Sequence, residues 1–431
     1  MKTRLSDLLR IFAGSLVCGG LVGLIGTGFR FFLAHADQLR DRLIGEAHMK
    51  TALGLLELVV AIAACAALAR WLVIRFAPIA AGSGVHHVEA VMRDEAEPVG
   101  PEVIPVKFFG GLLAIGSGLA LGREGPTVQM GAALGTICAR RFLPDLSDHK
   151  ILNAAGAGAG LAVAFNAPIG GMIFVFEELK LGFAPSGVIA TLGASAIAVA
   201  MMRLLLGNQQ EFAVQLPQVQ PIWQLLGFLF LGGMLGLIGA FYNVLTTFFL
   251  ARADRWRGEA SILPAAGIGA AIGLVAWFWP AIVGGGDELT QALLSGRLAA
   301  NEIAFIFVAR FVIGPFCYGA GTPGGLFAPL LVVGAAFGAL FANIAGVFLP
   351  AAGLSTVGFA VVGMSALFTA IVRAPLTGIT LTIEMTGRAD LALAMLAASL
   401  GAILVTTWCG SEPIYETLRK RMLAARGGGP G

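Results

Sequence analysis

Three short glycine-rich segments of this chain contain residues that could bind an ion. They are Gly82-Ser-Gly-Val-His86, Gly122-Arg-Glu-Gly-Pro126 and Gly324-Gly-Leu-Phe-Ala-Pro329. Glycine permits unusual backbone angles and proline suits the first turn of a helix, so each segment predicts a loop followed by a helix start. A helix start presents unpaired N–H groups and a partial positive charge, which together attract an anion. Several such starts aimed at one point could hold a small dehydrated anion without a fixed cation; the alternative is that these glycines only let helices pack or kink.

A carboxylate inside one of these segments is the second candidate for chemistry. Glu124 lies between two glycines and beside Arg123. A charge buried in a membrane is costly, and such residues usually have a function. A charged carboxylate resembles an anion and could occupy the same helix-end site, whereas a protonated one would no longer fit there. The pKa of Glu124 should respond to a nearby anion, because like charges disfavour each other. Glu124 could therefore link proton movement to anion movement, and the alternative is a structural ion pair with Arg123.

Other titratable residues are less specific. Glu177 and Glu178 end an apolar segment, and by themselves they indicate two carboxylates that face water. His86 and His87 have no third metal ligand nearby among the five histidines of the chain, so we interpret them as polar residues at the mouth of a cavity. A pH-sensing role is the alternative, since histidine titrates near neutral pH. The sequence predicts no metal site and no cofactor.

The composition places these residues in a membrane. Of the 431 residues, 57% are hydrophobic and 12% are charged, and the mean hydropathy is +0.86. No soluble core could bury that much apolar surface, and continuous rather than alternating apolar runs argue against a β-barrel. The 60 glycines indicate close helix contacts and broken helices. A net charge of +3 is too small to suggest nucleic-acid binding.

Uncharged runs mark the membrane segments. One simple span needs about 20 residues, so the runs of 40 residues (Phe212–Ala251) and 62 residues (Phe311–Val372) should hold several helices or helices that stop midway. Lysine and arginine at positions 2–10 and 419–426 predict that both termini are cytoplasmic. After Tyr415 we expect no soluble regulatory domain. Besides the runs of 40 and 62 residues, the uncharged runs that mark membrane segments are Ile151–Phe176, Leu181–Met202, Ser261–Gly286 and Leu391–Ser411.

The two halves of the chain share marks. The segment from Asn166 to Glu177 resembles the segment from Arg373 to Glu384, with prolines and glutamates 207 residues apart. Tandem halves are typical of secondary transporters, whose substrate sites lie between the repeats on interrupted helices. We therefore divide one transmembrane domain, residues 1–431, into approximate repeats 1–215 and 216–431. Parallel and inverted halves are both compatible with this pattern.

Patterns typical of enzymes are weak. Gly156-Ala-Gly-Ala-Gly160 resembles part of a dinucleotide loop, but no strand precedes it, and we interpret it as a helix-packing site. No histidine follows His149 and no His-Glu-x-x-His pattern occurs, which disfavours an intramembrane protease. The five cysteines show no metal spacing and no disulfide framework. The sequence therefore predicts a protein that is not an enzyme.

In these residues the chain closely resembles the CLC family of chloride channels and chloride/proton exchangers. The three glycine-rich motifs, Asn166-Ala-Pro, Glu177-Glu178 and Tyr415 occur in the family's order, from about Ser83 to Tyr415. The resemblance, to the prokaryotic type without cytoplasmic regulatory domains, implies an all-α membrane protein with two inverted-topology repeats of tilted and interrupted helices. It also implies a multi-pass homodimer in the cell inner (plasma) membrane, with one pathway per subunit.

The resemblance implies a role for each matched residue of the anion site. The hydroxyl groups of Ser83 and Tyr415 would donate to the anion from the cytoplasmic side. The backbone N–H groups of Leu326 and Phe327 would reach it from the other repeat. The filter loops would supply Gly82, Gly84, Gly122, Arg123, Gly125, Pro126, Gly325 and Pro329.

The resemblance also implies how protons move. Glu124 would be the gate and external proton site, and Glu178 the internal proton site. Plain channels of the family commonly carry an apolar residue at that internal position, so the two glutamates together predict a chloride/proton antiporter. A passive chloride channel on the same scaffold is the alternative. Fluoride exporters of the family depart at Ser83 and at Pro126, and both residues are present here.

Three further expectations concern the surroundings and the selectivity of this site. Lys107, Arg123 and Glu89 would set the local potential, with a structural Glu89–Arg123 ion pair as an equal alternative. The family usually has proline where His86 stands, and this departure concerns the shape of the first loop more than the contact made by Ser83. Bromide and nitrate are expected to pass as well as chloride, because such a site selects by size and dehydration.

Overall fold

The computed structural model describes residues 5–145, 148–215 and 221–427. These residues form 17 α-helices, and two isolated bridges are their only strand-type pairings. Eight helices are long and apolar enough to cross a membrane, which confirms the prediction of an all-α membrane protein. The helices are α1 (Leu5–Met49), α2 (Ala52–Phe76), α3 (Val85–Met92), α4 (Val103–Gly116), α5 (Glu124–Phe142), α6 (His149–Phe165), α7 (Pro168–Glu177), α8 (Pro185–Leu206), α9 (Leu225–Ala253), α10 (Ile262–Phe278), α11 (Asp287–Leu294), α12 (Ala300–Tyr318), α13 (Phe327–Phe348), α14 (Thr356–Val372), α15 (Pro375–Thr386), α16 (Ala392–Trp408) and α17 (Ile414–Gly427).

The order of helices recurs along the chain. Helices α3 and α11 are both 8 residues long, and α6 and α14 both have 17 residues. Helices α7 and α15 both start at a proline and follow a residue in the left-handed conformation, Asn166 or Arg373. The series α1–α8 therefore corresponds element by element to the series α9–α16.

Glycines bring the helices after the filter loops into close contact. A side chain at Gly156 or Gly160 of α6 would overlap backbone carbonyl groups of α5. Gly363 of α14 packs against Gly334 of α13 in the same way. The interpretation of the segment 156–160 as a helix-packing site is thereby confirmed. Such contacts fix the axes of α5 and α13, and therefore where these helices start.

A glutamate from each of the two matched segments caps a helix of the other segment. The carboxylate of Glu177 accepts hydrogen bonds from the backbone N–H groups of Leu376, at 3.0 Å, and Thr377, at 2.7 Å, in the first turn of α15. Glu384 accepts from two N–H groups in the first turn of α7, at 3.1 and 2.6 Å. Carboxylates stabilise helix N-termini because they satisfy free donors and oppose the helix dipole. Glu177 therefore has a structural partner and is more than a carboxylate facing water.

Removal of either cap should destabilise the fold. We expect Glu177→Ala and Glu384→Ala each to lower the free energy of unfolding by about 1–2 kcal/mol, the usual loss for a capping side chain. Thermal unfolding of purified protein in detergent measures this. Glu57→Ala is the control because Glu57 forms an exposed ion pair with Lys50, and it should change little. Equal unfolding temperatures for the three variants would contradict the capping role.

The uncharged runs are explained in two different ways. The 62-residue run Phe311–Val372 contains the end of α12 and all of α13 and α14, as expected. The expectation for the 40-residue run Phe212–Ala251 is wrong, because its described part contains one α-helix, α9, preceded by a single 3₁₀ turn. The start of that run belongs to a linker, whose Phe212 N–H donates to the carbonyl of Met385 at 3.0 Å. Uncharged linker residues packed on the protein resemble a membrane span in sequence.

Candidate functional site

The three glycine-rich segments meet in one hydrogen-bonded cluster. Gly122 and Gly325 exchange two backbone hydrogen bonds, at 2.8 and 2.7 Å. Gly82 donates to the carbonyl of Thr322, and Gly324 donates back to the carbonyl of Gly82, both at 3.1 Å. Segments 240 residues apart in the sequence are thus joined through their backbones. In a membrane, irregular backbone of this kind persists where it is buried in protein or lines a cavity.

Each segment is followed directly by a helix start, as the sequence predicts. Helix α3 begins at Val85, α5 at Glu124 and α13 at Phe327. Gly82 and Gly84 have φ values of 62° and 85°, a backbone conformation that residues other than glycine rarely adopt. The first turns of α5 and α13 also contain the prolines predicted there, at positions 126 and 329.

Glu124 occupies the start of a helix from the other half of the chain. Its side chain is buried, and one carboxylate oxygen accepts a hydrogen bond from the N–H of Phe327 at 2.7 Å. The other oxygen has no hydrogen-bond partner among the described residues. The carboxylate lies against Gly122 and Gly325, where a side chain would overlap it. A negative group therefore sits on the helix end that the sequence assigns to an anion.

Ser83 and Tyr415 come together, as the resemblance implies. Both side chains are buried, and the Tyr415 phenol at the start of α17 lies beside Ser83. The Ser83 hydroxyl has no hydrogen-bond partner meeting normal geometry within the described residues, so it can donate to a bound anion. The phenol of Tyr415 also interacts electrostatically with Glu124 and Glu178. Tyr415 is thus within electrostatic range of both carboxylates.

Two residues that hold the first loop were not assigned to it from the sequence. The buried Lys107 of α4 donates to the carbonyls of Gly82, at 2.7 Å, and Ser83, at 3.0 Å. The hydroxyl of Tyr318 accepts from the N–H of Ser83 at 3.2 Å. The Ser83 backbone donor is therefore already used, which leaves its hydroxyl for a ligand. A lysine inside an apolar stretch was the available signal for Lys107, and Tyr318 gave none.

The expected Glu89–Arg123 ion pair is wrong. Glu89 pairs instead with Arg93, at 2.7 Å, and Arg419, at 3.5 Å, because α3 packs on α17. The guanidinium of Arg123 pairs with the carboxylates of Glu211 and Asp287. Among the described residues, Glu124 is not one of its ion-pair partners. The alternative of a structural Glu124–Arg123 pair is therefore not supported.

Glu178 follows the last residue of α7 and is half-buried. Its N–H donates to the carbonyl of Phe174 at 2.9 Å, which completes the last turn of the helix. Its carboxylate interacts electrostatically with Glu89 of α3 and with Lys180. The carboxylate of Glu178 therefore lies within electrostatic range of Tyr415, as the carboxylate of Glu124 does.

In the described part of the chain, cavities reach the loop cluster from two groups of lining residues. One, of about 380 Å³, is lined by Gly122 and Arg123 and by carboxylates of α1 and α11. The other, of about 590 Å³, is lined by Gly82, His86 and Tyr318. The prediction that His86 lies at a cavity is confirmed. The same prediction is wrong for His87, which is buried, because successive residues of α3 point about 100° apart.

The eight apolar helices and the interrupted helices among them define a multi-pass membrane protein. The family profile described as voltage gated chloride channel matches residues 65–407. The H(+)/Cl(-) exchange transporter ClcA of Vibrio vulnificus is 40% identical, covering 96% of this chain and 90% of its own. The transporter of the same name from Cronobacter sakazakii is 36% identical, covering 98% of this chain and 91% of its own. The chain belongs to the voltage gated chloride channel family, the family indicated by its sequence motifs.

Solved structures agree with this assignment. A slow cyanobacterial Cl⁻/H⁺ antiporter superposes with a TM-score of 0.92 at 31% identity, covering 96% of this chain and 98% of that one. A CLC-type fluoride/proton antiporter superposes with a TM-score of 0.79 at 21% identity, covering 96% and 98%, and shares the fold alone. The fold is therefore the CLC fold, and the similar proteins named above are transporters.

Proposed function

We propose that this protein is a chloride/proton antiporter, with Glu124 as its gate and Glu178 as its internal proton site. The observation that carries the proposal is the hydrogen bond from the N–H of Phe327 to the Glu124 carboxylate, 2.7 Å long. The names of the similar proteins, H(+)/Cl(-) exchange transporter and Cl⁻/H⁺ antiporter, support it.

The exchange follows from competition for one helix end. While Glu124 is charged, it satisfies the free N–H of Phe327 and opposes the helix dipole. Once protonated, it loses most of this attraction, and chloride takes its place. The N–H groups of Leu326 and Phe327 and the hydroxyls of Ser83 and Tyr415 then hold the anion. Among the described residues, these anion-holding groups are peptide dipoles and hydroxyls, and the ammonium of Lys107 donates to loop carbonyls instead, so the anion is released readily.

Protons reach the site from the other side through Glu178. Burial, and after it the neighbouring Glu89, makes a charge costly at this position, which favours proton uptake there. The phenol of Tyr415 interacts electrostatically with both Glu178 and Glu124, which supports proton movement between these two glutamates beside the anion site. A residue that binds protons near Tyr415 but away from the helix ends can supply Glu124 without blocking chloride.

The same proposal includes the assembly. The corresponding helix series α1–α8 and α9–α16 support two repeats, approximately residues 1–215 and 216–431, of one transmembrane domain, and the likeness to the CLC fold supports their inverted topology. The protein would be a homodimer with one pathway per subunit, in the cell inner (plasma) membrane, with both termini cytoplasmic. The protein's transported ions are chloride and protons, and its apolar outer surface faces the lipid bilayer.

Proteoliposomes test the function. A chloride gradient imposed across the bilayer should drive protons uphill, as recorded by a pH electrode beside a chloride electrode. Protein-free liposomes, and the same proteoliposomes with a proton uncoupler, are the controls. Chloride flux without proton movement would identify a passive channel instead, and transport of fluoride in preference to chloride would identify a fluoride exporter.

A further inference from the structure

The linker between the two helix series carries a carboxylate that reaches the gate region. Glu211 lies in this linker, just after α8. Its carboxylate forms an ion pair with Arg30 of α1 at 2.9 Å, and its other oxygen pairs with Arg123. The side chain of Glu211 is only 9% exposed. A charge this buried requires partners, and here both are arginines.

Arg123 is held from several directions. Its Nε donates to the carbonyl of Ala164 at 3.0 Å, and one terminal nitrogen pairs with Asp287 of α11 at 3.0 Å. Arg30 donates to the same carbonyl at 2.7 Å. Because the Asp287 side chain is 42% exposed, solvent weakens its pair with Arg123. Glu211 is therefore the main buried counter-charge of the two arginines.

The linker is itself fixed to the rest of the protein. Residue 212 donates its N–H to Met385 at 3.0 Å. The backbone of Ala213 makes two hydrogen bonds with the side chain of Gln291, at 2.8 and 3.0 Å. The position of the Glu211 carboxylate thus depends on contacts with α11 and with the end of α15.

Arg123 is coupled to the gate in two ways. It is the residue directly before Glu124, so its side-chain bonds restrain the backbone from which the Glu124 side chain projects. Its guanidinium also interacts electrostatically with the Glu124 carboxylate. Any change in the counter-charge on Arg123 is therefore felt at Glu124.

We propose that Glu211 is a positioning residue for the gate, which fixes Arg123 and balances its charge, and so sets the pH at which Glu124 exchanges its proton. This inference rests on the proposed function of Glu124 as a proton-binding gate. It assigns a transport role to a linker residue outside the three filter loops.

The direction of the effect follows from charge. Glu211→Gln removes a negative charge and leaves Arg123 and Arg30 less balanced, so the local potential becomes more positive. A more positive potential stabilises the Glu124 carboxylate, and a lower pH is needed to protonate it.

The other charged or titratable groups near these residues remain in the variant. They are Asp37 and Arg40 of α1, Lys107 of α4, Asp287 and Glu288 of α11, Arg310 and Tyr318 of α12, and Tyr415 of α17.

The experiment is chloride flux into proteoliposomes as a function of external pH. We expect the profile of E211Q to move to lower pH by about 0.5–1 unit. E211D, which keeps the charge, should stay close to the wild type. Glu288→Gln is the matched control, because Glu288 is an exposed carboxylate lining the same cavity as Arg123, and it should not shift the profile.

A double variant separates positioning from general surface charge. In a Glu124→Gln background the E211Q shift should disappear, because the group that it acts on is gone. A shift that persists there, an equal shift in Glu288→Gln, or no shift in E211Q would overturn the inference. Should E211Q not fold, Asp287→Asn replaces it, with a smaller shift in the same direction, and its absence would overturn the inference equally. A wild type that shows no proton coupling would instead refute the proposed function, so the two failures are distinguishable.

Discussion

Glu124→Gln is expected to abolish proton coupling while chloride flux continues. Glutamine has nearly the shape of glutamate but can neither bind the exchanged proton nor compete as a charge. The hydrogen bond from the N–H of Phe327 would lose its ionised acceptor, a type of bond that contributes about 1.5–3 kcal/mol. Chloride should then bind at this helix end without a rival.

Two measurements together test this expectation. In proteoliposomes, proton movement driven by a chloride gradient should fall to the level of protein-free liposomes. In detergent, calorimetric titration should show chloride binding at least as tightly as to the wild type, because the competing carboxylate is gone. Asp41→Asn is a suitable control, since Asp41 lines the same cavity as Arg123 and its side chain, 46% exposed, pairs with Arg40. Uphill proton movement in Glu124→Gln would mean that another group carries the proton.

The positions of the glycine-rich loops and of the helix starts after them could be predicted from the sequence, because they depend on neighbouring residues. Glycines with positive φ and prolines in the first turn are short-range signals, so the loops and the starts of α3, α5 and α13 could be located without a structure. Composition and run length sufficed for the membrane class. The packing role of Gly156 and Gly160 also followed from their setting in an apolar span.

Partners distant in the sequence could not be predicted in this way. The 207-residue offset marks Glu177 and Glu384 as equivalent, but it does not show that each caps the other's helix. The sequence offered Glu89 as a partner for Arg123, whereas the structure pairs Arg123 with Glu211, whose position depends on the contacts of the linker with α11 and α15. Such pairings are decided by tertiary packing, which leaves no periodicity in the sequence.

The 40-residue uncharged run shows a second kind of wrong prediction, in which a linker is taken for part of a membrane span. A span is inferred from the absence of charge, but a linker that satisfies its backbone on neighbouring helices also needs no charge. Phe212 does so through Met385. Glu211, directly before that run, is the only charged residue between Arg203 and Arg252, and it was the one sign in the sequence of a functional linker.

Glu178→Gln is the second variant for which a large effect is expected. It should eliminate coupled proton movement and leave chloride flux in place, because the anion-binding groups around Ser83 and Phe327 are untouched. Unlike Glu124→Gln, it should keep chloride flux that depends on external pH, since the gate still binds protons from that side. The neutral side chain also removes repulsion from Glu89, so no loss of stability is expected.

The neighbouring glutamate provides the matched control for this variant. Glu177→Gln makes the same chemical change one residue earlier, at a carboxylate that accepts hydrogen bonds from α15. Glu177→Gln should lower the thermal stability and keep the proton coupling, whereas Glu178→Gln should keep the stability and lose the coupling. Coupling and thermal unfolding measured on both variants therefore separate the helix cap from the proton site. Coupled transport in Glu178→Gln would show that protons enter by a route that bypasses the end of α7.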